Sequence, residues 1–161
     1  MSDFHFVAPA GDGAGVLGTP IADANAGGGV SDVVNMKGYF EAYFMLQLGA
    51  RTGTTAAPVI TLLSCDDVTP TNSQAIVFEY KLLSTNDVNS AWIAVASTGY
   101  TVVTGDDQVI VVRAKAQNAY LGYEYMQLSL TEPANDPQVG ALLVMMAKPR
   151  HNEATLETVI T

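Results

Sequence analysis

Short runs in which apolar and polar residues alternate dominate the chain between Tyr39 and Ala147. Alternation with a period of two residues is typical of a strand that buries one face and leaves the other face in water. The clearest run places Phe40, Ala42, Phe44, Leu46 and Leu48 on one side, and Tyr39, Glu41, Tyr43 and Gln47 on the other. The pattern therefore predicts a β-protein.

Turn-rich segments divide the chain into eight predicted strands. Residues 73–83 could instead form a helix capped by Ser73, but their apolar residues alternate as in a strand. The predicted strands span residues 36–48, 57–65, 75–83, 91–96, 99–104, 108–117, 121–131 and 139–147. This spacing predicts an all-β fold, an antiparallel β-sandwich of the jelly-roll kind.

Residues 1–35 differ from the rest in being rich in glycine, alanine and proline, which oppose regular structure. They also contain apolar residues that a solvated linker would lack, and we predict that these anchor an extended arm on another surface. A tail ordered only against its own domain is the alternative. The predicted anchors are Phe4, Phe6, Val16, Leu17 and Ile21. The predicted organisation is an arm over 1–35, a β-sandwich over 36–147 and a tail over 148–161.

The strand over 139–147 is apolar on both sides, so both sides need a cover. Ala141, Leu143 and Met145 lie on one side, and Leu142, Val144 and Met146 lie on the other. The first hypothesis is that Leu142, Val144 and Met146 form a subunit interface, which predicts a homo-oligomer. The alternative is that the arm or a loop covers this side within one copy.

Composition excludes several classes of partner. Seven Lys and Arg against sixteen Asp and Glu leave a net charge of −9, which disfavours binding to nucleic acid. No apolar stretch approaches the roughly 20 residues that span a bilayer, and no secretory signal pattern is present, so synthesis in a reducing cytoplasm and no membrane partner are expected. Cys65 is the only cysteine, and its place in an apolar run predicts a buried thiol.

No set of catalytic or metal-binding residues is recognisable, so we expect neither an enzyme nor a cofactor or metal. His5 and His151 lie near the two ends, without the spacing that a catalytic triad or metal site requires. The acidic pairs Asp66–Asp67 and Asp106–Asp107 lie where strands enter turns. They are interpreted as turn residues that bond to the backbone, with calcium binding as the alternative.

Five aromatic residues could form a surface for stacking on a sugar ring, or could serve the core and the sheet surface. They are Trp92, Tyr100, Tyr120, Tyr123 and Tyr125. A structural role is the preferred interpretation, and a carbohydrate platform is the alternative.

A resemblance to a known class of proteins rests on five segments of the chain. They are residues 36–50, 59–62, 64–67, 107–114 and 125–130. Over about 36–131 the chain resembles small virion proteins of tailed bacteriophages with a β-sandwich or jelly-roll domain, many of which are capsid decoration or cement proteins. The resemblance implies a structural virion protein on the capsid surface that stabilises a phage head by bridging major capsid proteins, as a homo-oligomer, with a trimer expected. The alternative function is a carbohydrate- or receptor-binding β-sandwich. An enzyme of the cupin kind is disfavoured, because its metal site needs clustered histidines.

Overall fold

The computed structural model describes residues 5–6, 29–51, 57–83, 90–102, 108–131 and 138–150. Within these ranges the chain forms twelve strands and one short 3-10 turn at Ala116–Asn118. The strands are β1 (His5–Phe6), β2 (Gly29–Val30), β3 (Val34–Asn35), β4 (Tyr39–Arg51), β5 (Val59–Cys65), β6 (Ser73–Ile76), β7 (Phe78–Leu83), β8 (Ile93–Val95), β9 (Tyr100–Thr101), β10 (Gln108–Lys115), β11 (Tyr125–Thr131) and β12 (Gln138–Pro149).

The strands form two six-stranded antiparallel sheets. Sheet I has the order β1-β12-β4-β10-β7-β8, and sheet II has the order β2-β11-β5-β6, with β3 also pairing with β11 and β9 with β5. The prediction of an all-β antiparallel sandwich is confirmed, and the jelly-roll connectivity remains a prediction. Residues 73–83 are extended, as predicted, with a break at Val77 between β6 and β7.

The core consists of the alternating apolar side chains of both sheets. Removing a large apolar side chain from water contributes about 1.5–3 kcal/mol, so rows of such residues dominate the stability. Sheet I contributes Ala42, Phe44, Leu46, Leu48, Ile110 and Val112, and sheet II contributes Ile60, Leu62, Met126, Leu128 and Leu130.

The predicted alternation of β4 is wrong at its first two residues. Tyr39 lies in the core, whereas Phe40 is half exposed. The neighbouring register pairs place Phe40 opposite Lys148, which has a positive φ of 55°. The ladder is therefore irregular at this point, and the regular alternation of β4 begins only at Ala42.

Residues 29–35, which composition assigns to the arm, belong to sheet II. Val34 is fully buried in the core. Ser31 is also buried, and its backbone N–H donates to the carbonyl of Leu128 at 2.8 Å while its Oγ accepts from the Leu128 N–H at 2.8 Å. The side-chain amide of Gln127 donates to the Ser31 carbonyl at 2.7 Å. These bonds replace the regular ladder between β2 and β3, so residues 29–35 are an integral part of sheet II.

The predicted oligomer face on β12 lies on the inner side of the sheet. Met146 is fully buried in the core, and Leu142 and Val144 pack against that core. Met146 is therefore not accessible to another subunit, whereas an interface at the partly buried Leu142 and Val144 remains a prediction. The outer face of the same strand carries Leu143 and Met145, which are partly buried.

Candidate functional site

Four exposed apolar residues lie at one end of the sandwich, where the chain crosses between the two sheets. We call Phe40, Val77, Tyr120 and Leu121 the end patch. Leu121 is 93% exposed, and the other three are half exposed. Apolar residues that are grouped and exposed in this way are typical of sites that bind other proteins, whereas single exposed apolar residues are common everywhere.

Hydrogen bonds fix the segments that carry the end patch to neighbouring parts of the fold. The Asn118 side-chain amide donates to the carbonyl of Val77 at 3.3 Å, which joins the segment after β10 to the break before β7. The backbone N–H of Tyr120 donates to Ser64 Oγ at 3.1 Å at the end of β5. Arg150 donates its backbone N–H to the carbonyl of Gly38 at 2.9 Å, next to the start of β4.

The loop that carries Tyr120 and Leu121 is held by its own turns. After the 3-10 turn, the N–H of Tyr123 donates to the carbonyl of Tyr120 at 2.9 Å. Gly122 completes this turn with a φ of 88°, a backbone conformation that residues with a Cβ rarely adopt. The rings of Tyr120 and Tyr123 lie 5.3 Å apart with a tilt of 56°, so they support each other. Leu121 therefore stands out at the tip of a braced loop.

The charged groups around the end patch are paired or stacked. Lys37 Nζ lies 3.8 Å from Glu124 Oε2. The Arg150 guanidinium donates through Nε to the carbonyl of Tyr39 at 3.2 Å and lies 5.2 Å from the centre of the Phe40 ring. Local pairing lowers the cost of covering such groups, so the end patch is suited to contact with another protein.

A polar cluster crosses the outer face of sheet I. The register places Arg113 opposite Tyr43 on one side and Glu79 on the other. Arg113 donates through both Nε, at 2.6 Å, and Nη2 to Glu79 Oε2, and its guanidinium lies 4.3 Å from the centre of the Trp92 ring. Lys115 Nζ donates to Glu79 Oε1 at 2.9 Å. Hydrogen bonds from Lys115 and then Arg113 hold the pKa of Glu79 below its ordinary value.

Glu41 and Tyr43 extend this cluster toward the carboxyl end of β12. Tyr43 donates its hydroxyl to Glu41 Oε2 at 2.7 Å, and Lys148 donates Nζ to Glu41 Oε1 at 2.6 Å. Burial acts to raise the pKa of Glu41, but these two hydrogen bonds outweigh it and the pKa lies below its ordinary value. Burial, with the Glu41 bond added, raises the pKa of Tyr43. Glu79 and Glu41 both accept hydrogen bonds from cationic side chains of other strands, so the cluster links neighbouring strands of sheet I.

The five aromatic residues of the sequence hypothesis do not share one face. Tyr100 stacks on Tyr80 with ring centres 4.0 Å apart, at the edge of the core. Trp92 packs against the outer-face cluster, at 6.0 Å from Tyr43. The Tyr120 and Tyr123 rings pair beside the end patch. A single aromatic platform is therefore wrong, and the two exposed members, Tyr120 and Trp92, belong to different clusters.

The acidic turn at the end of β5 has the structural role predicted for Asp66. Its carboxylate accepts hydrogen bonds from the Thr71 N–H at 3.2 Å, the Thr71 hydroxyl at 2.9 Å and the Asn72 side-chain amide at 2.9 Å. The Asn72 bonds, followed by those of Thr71, lower the pKa of Asp66 to about 2. Asp106–Asp107 lie outside the described residues.

The lone thiol lies beside this turn. Cys65 is fully buried, as predicted, and burial followed by the nearby Asp66 charge raises the pKa of its thiol to about 11. Within the described ranges, no group of three or more His, Cys, Asp or Glu is arranged to hold a metal ion. Nor is any helix in these ranges long and apolar enough to cross a membrane.

Most of the predicted arm anchors lie outside the described residues, namely Phe4, Val16, Leu17 and Ile21. Phe6 lies in β1, where it pairs with Met145 at the edge of sheet I. The end patch was missed because its members come from three separate segments, none of which contains a motif. The alternation of Phe40 even suggested a core position.

Comparison with protein-family models, with curated proteins and with solved structures found no match to this chain. The function of this chain is therefore inferred from its own sequence and structure.

Proposed function

We propose that this protein is a structural protein without catalytic activity that binds the outer surface of a phage head as a decoration protein. In this role it bridges major capsid proteins and acts as a homo-oligomer, a trimer at the symmetry axes of the shell. The observation that carries the proposal is the end patch, an apolar group braced by turns and bordered by paired charges. The resemblance to phage virion proteins suggests the partner.

The end patch supports attachment by a rigid surface. Its loop is held by the turn at Gly122 and by the bond from Tyr120 to Ser64, so little ordering of the backbone is needed on binding. A protein that binds the assembled shell but not its dissociated subunits stabilises the shell by RT ln(1 + [L]/Kd). Many copies that each contribute such an increment raise the temperature at which the head opens.

Co-sedimentation with heads of the virus that encodes the chain tests this proposal. The variant Leu121→Asp places a charge at the tip of the end patch, where 93% exposure leaves folding unaffected. Gln47→Asp, on the exposed outer face of sheet I, is the matched control. Losing a central apolar contact weakens binding at least tenfold, which corresponds to about 1.4 kcal/mol.

We expect the unmodified chain and Gln47→Asp to sediment with the heads and Leu121→Asp to remain in the supernatant. Failure of the unmodified chain to bind intact heads overturns the proposed partner. Equal binding of the two variants overturns the role of the end patch.

The second candidate is a carbohydrate- or receptor-binding module, and the observation that favours it is the Tyr120–Tyr123 ring pair. A tilted aromatic pair at an exposed loop can stack on the apolar face of a sugar ring. A glycan array separates the two functions. Binding that is lost in Tyr120→Ala but kept in Leu121→Asp supports the sugar, and an array without any bound glycan removes this candidate.

A further inference from the structure

Arg150 borders the end patch, and it has no carboxylate partner among the residues that the structure describes. Its neighbour Lys148 differs in this respect, because Lys148 Nζ donates to Glu41 Oε1 at 2.6 Å. Within the described ranges, the Arg150 side chain donates one hydrogen bond, from Nε to the carbonyl of Tyr39 at 3.2 Å. A guanidinium carries its N–H donors in a fixed planar fork, so the two Nη groups of Arg150 are available to an acceptor from another molecule.

The guanidinium of Arg150 is held in a fixed position beside an exposed ring. The backbone N–H of Arg150 donates to the carbonyl of Gly38 at 2.9 Å, and Pro149 pairs with Tyr39, so the backbone at Arg150 is tied to the start of β4. The guanidinium carbon lies 5.2 Å from the centre of the Phe40 ring, within the range of a cation–π contact. Because the side chain is already placed, little ordering is needed when a ligand binds to it.

The surface beside Phe40 presents positive charge. Among the described residues, Lys148 is the only non-glycine residue with a positive φ, and such strained positions are concentrated at binding sites. The side chain of Lys148 is 53% exposed, whereas that of its partner Glu41 is only 9% exposed, so the cation is the member of the pair that faces the solvent. Arg150 is exposed as well. Two cations thus border Phe40 in a chain whose net charge is −9.

A partner that covers Phe40 also takes water away from Arg150. A charged group that loses water without gaining an acceptor is costly, so the partner has to supply that acceptor. The groups that match the guanidinium fork with two parallel hydrogen bonds are carboxylates and phosphates. The net charge of −9 disfavours the phosphates of a nucleic acid. An acidic side chain of another protein is therefore the ligand that this arrangement fits.

We propose that Phe40 and Arg150 form a subsite for an acidic side chain that lies next to an apolar one, and that the major capsid protein presents such a pair to the end patch. The apolar side chain packs on the exposed part of the Phe40 ring, and the carboxylate accepts hydrogen bonds from the two Nη groups of Arg150. The inference rests on the proposed function and deepens it, because it specifies the chemistry that the partner supplies. The competing source of a carboxylate is the chain's own Glu153 or Glu157.

The first test follows the Arg150 Nε–H signal by NMR, assigned by its absence in Arg150→Lys, while 4-phenylbutyrate is added to the full chain. We expect a saturable shift with a Kd on the order of 1–10 mM, and no shift with 4-phenylbutanamide, which has the same shape without the charge. No shift with the carboxylate, or the same shift with the amide, overturns the subsite. In Glu153→Gln/Glu157→Gln the Arg150 signal should keep its position. A displaced signal assigns the carboxylate to the chain's own tail and also overturns the proposal.

The second test is co-sedimentation of Arg150→Glu with heads of the virus that encodes the chain. Lys37→Glu is the matched control, because it reverses the same charge at a side chain that is 72% exposed. We expect Arg150→Glu to bind at least about tenfold more weakly than Lys37→Glu, and Arg150→Lys, which keeps the charge but loses the fork, to recover only part of the affinity. Equal binding of Arg150→Glu and Lys37→Glu overturns the contact with the shell. If the unmodified chain does not bind heads, the proposed function fails, whereas the titration contains no shell and still decides whether the subsite exists.

Discussion

Replacing Gly99 by alanine should destabilise the fold, because the added Cβ would clash with the backbone of β5, which is held in place within sheet II. Gly99 ends the turn in which its N–H donates to the carbonyl of Ala96 at 3.0 Å, and it has a φ of 93°. A Cβ at this position would lie 2.7 Å from the carbonyl oxygen of Ile60 and 2.8 Å from Cγ1 of Val59. Ile60 is fully buried in β5 and pairs with both β11 and β9, so its carbonyl cannot shift without disturbing sheet II.

Two other glycines separate the clash from the backbone conformation. Gly122 has nearly the same φ, 88°, but a Cβ there meets nothing within 4 Å. Gly38 has neither a positive φ nor a neighbour within 4 Å. A left-handed conformation costs an alanine about 1–2 kcal/mol, and overpacking of a rigid site adds about 1–3 kcal/mol. Gly38→Ala should instead stabilise the protein by about 0.4–1 kcal/mol, because it restricts the unfolded chain.

Urea unfolding of the three variants provides the measurement. We expect a loss of about 2–5 kcal/mol in Gly99→Ala, about 1–2 kcal/mol in Gly122→Ala and a small gain in Gly38→Ala. For a chain of this size each kcal/mol moves the melting temperature by about 2–4 °C, so the order is also visible in thermal scans. Equal losses in Gly99→Ala and Gly122→Ala would show that the contact with Ile60 imposes no cost.

Three further predictions concern Ser31, the amino-terminal boundary of the sandwich and Asp66. Ser31→Ala leaves the buried N–H of Leu128 without its acceptor and should lower the free energy of unfolding by about 1–3 kcal/mol, whereas Ser129→Ala on the outer face of β11 should have little effect; urea unfolding of both variants provides the comparison. Removal of residues 1–28 should preserve cooperative unfolding in circular dichroism, but a chain beginning at Asn35 should lose several kcal/mol because it lacks the buried Val34 and the Ser31 bonds; equal melting temperatures of the two truncations would contradict this boundary. The pKa of Asp66 is lowered from 3.8 to about 2, so its contribution to stability is present above pH 4 and disappears as the pH falls through about 2. Asp66→Asn should therefore reduce the difference in stability measured between pH 5 and pH 2, and an unchanged difference would contradict the role of this turn.

The alternation of apolar residues was enough to predict the fold class, because the two-residue period of a strand is a local property of the backbone. It identified β4, β5, β10 and β12 within a few residues. The burial of Cys65 and the turn role of Asp66 were also predictable, since both depend on neighbours in the chain. The strand over 121–131 was started too early, because a turn around Gly122 occupies its first residues.

The choice of faces and partners required the tertiary structure. In β12 both sides are apolar, so the sequence contained no information on which side faces the core, and only the pairing with β4 turned Met146 inward. Residues 29–35 looked like a linker by composition, yet Ser31 and Val34 are held by residues of β11 nearly a hundred positions away. The end patch likewise combines Phe40, Val77 and the loop at Tyr120, which the strand register places at one end of the sandwich. Contacts between residues so distant in sequence depend on the packing of whole sheets, and no local pattern of residues encodes them.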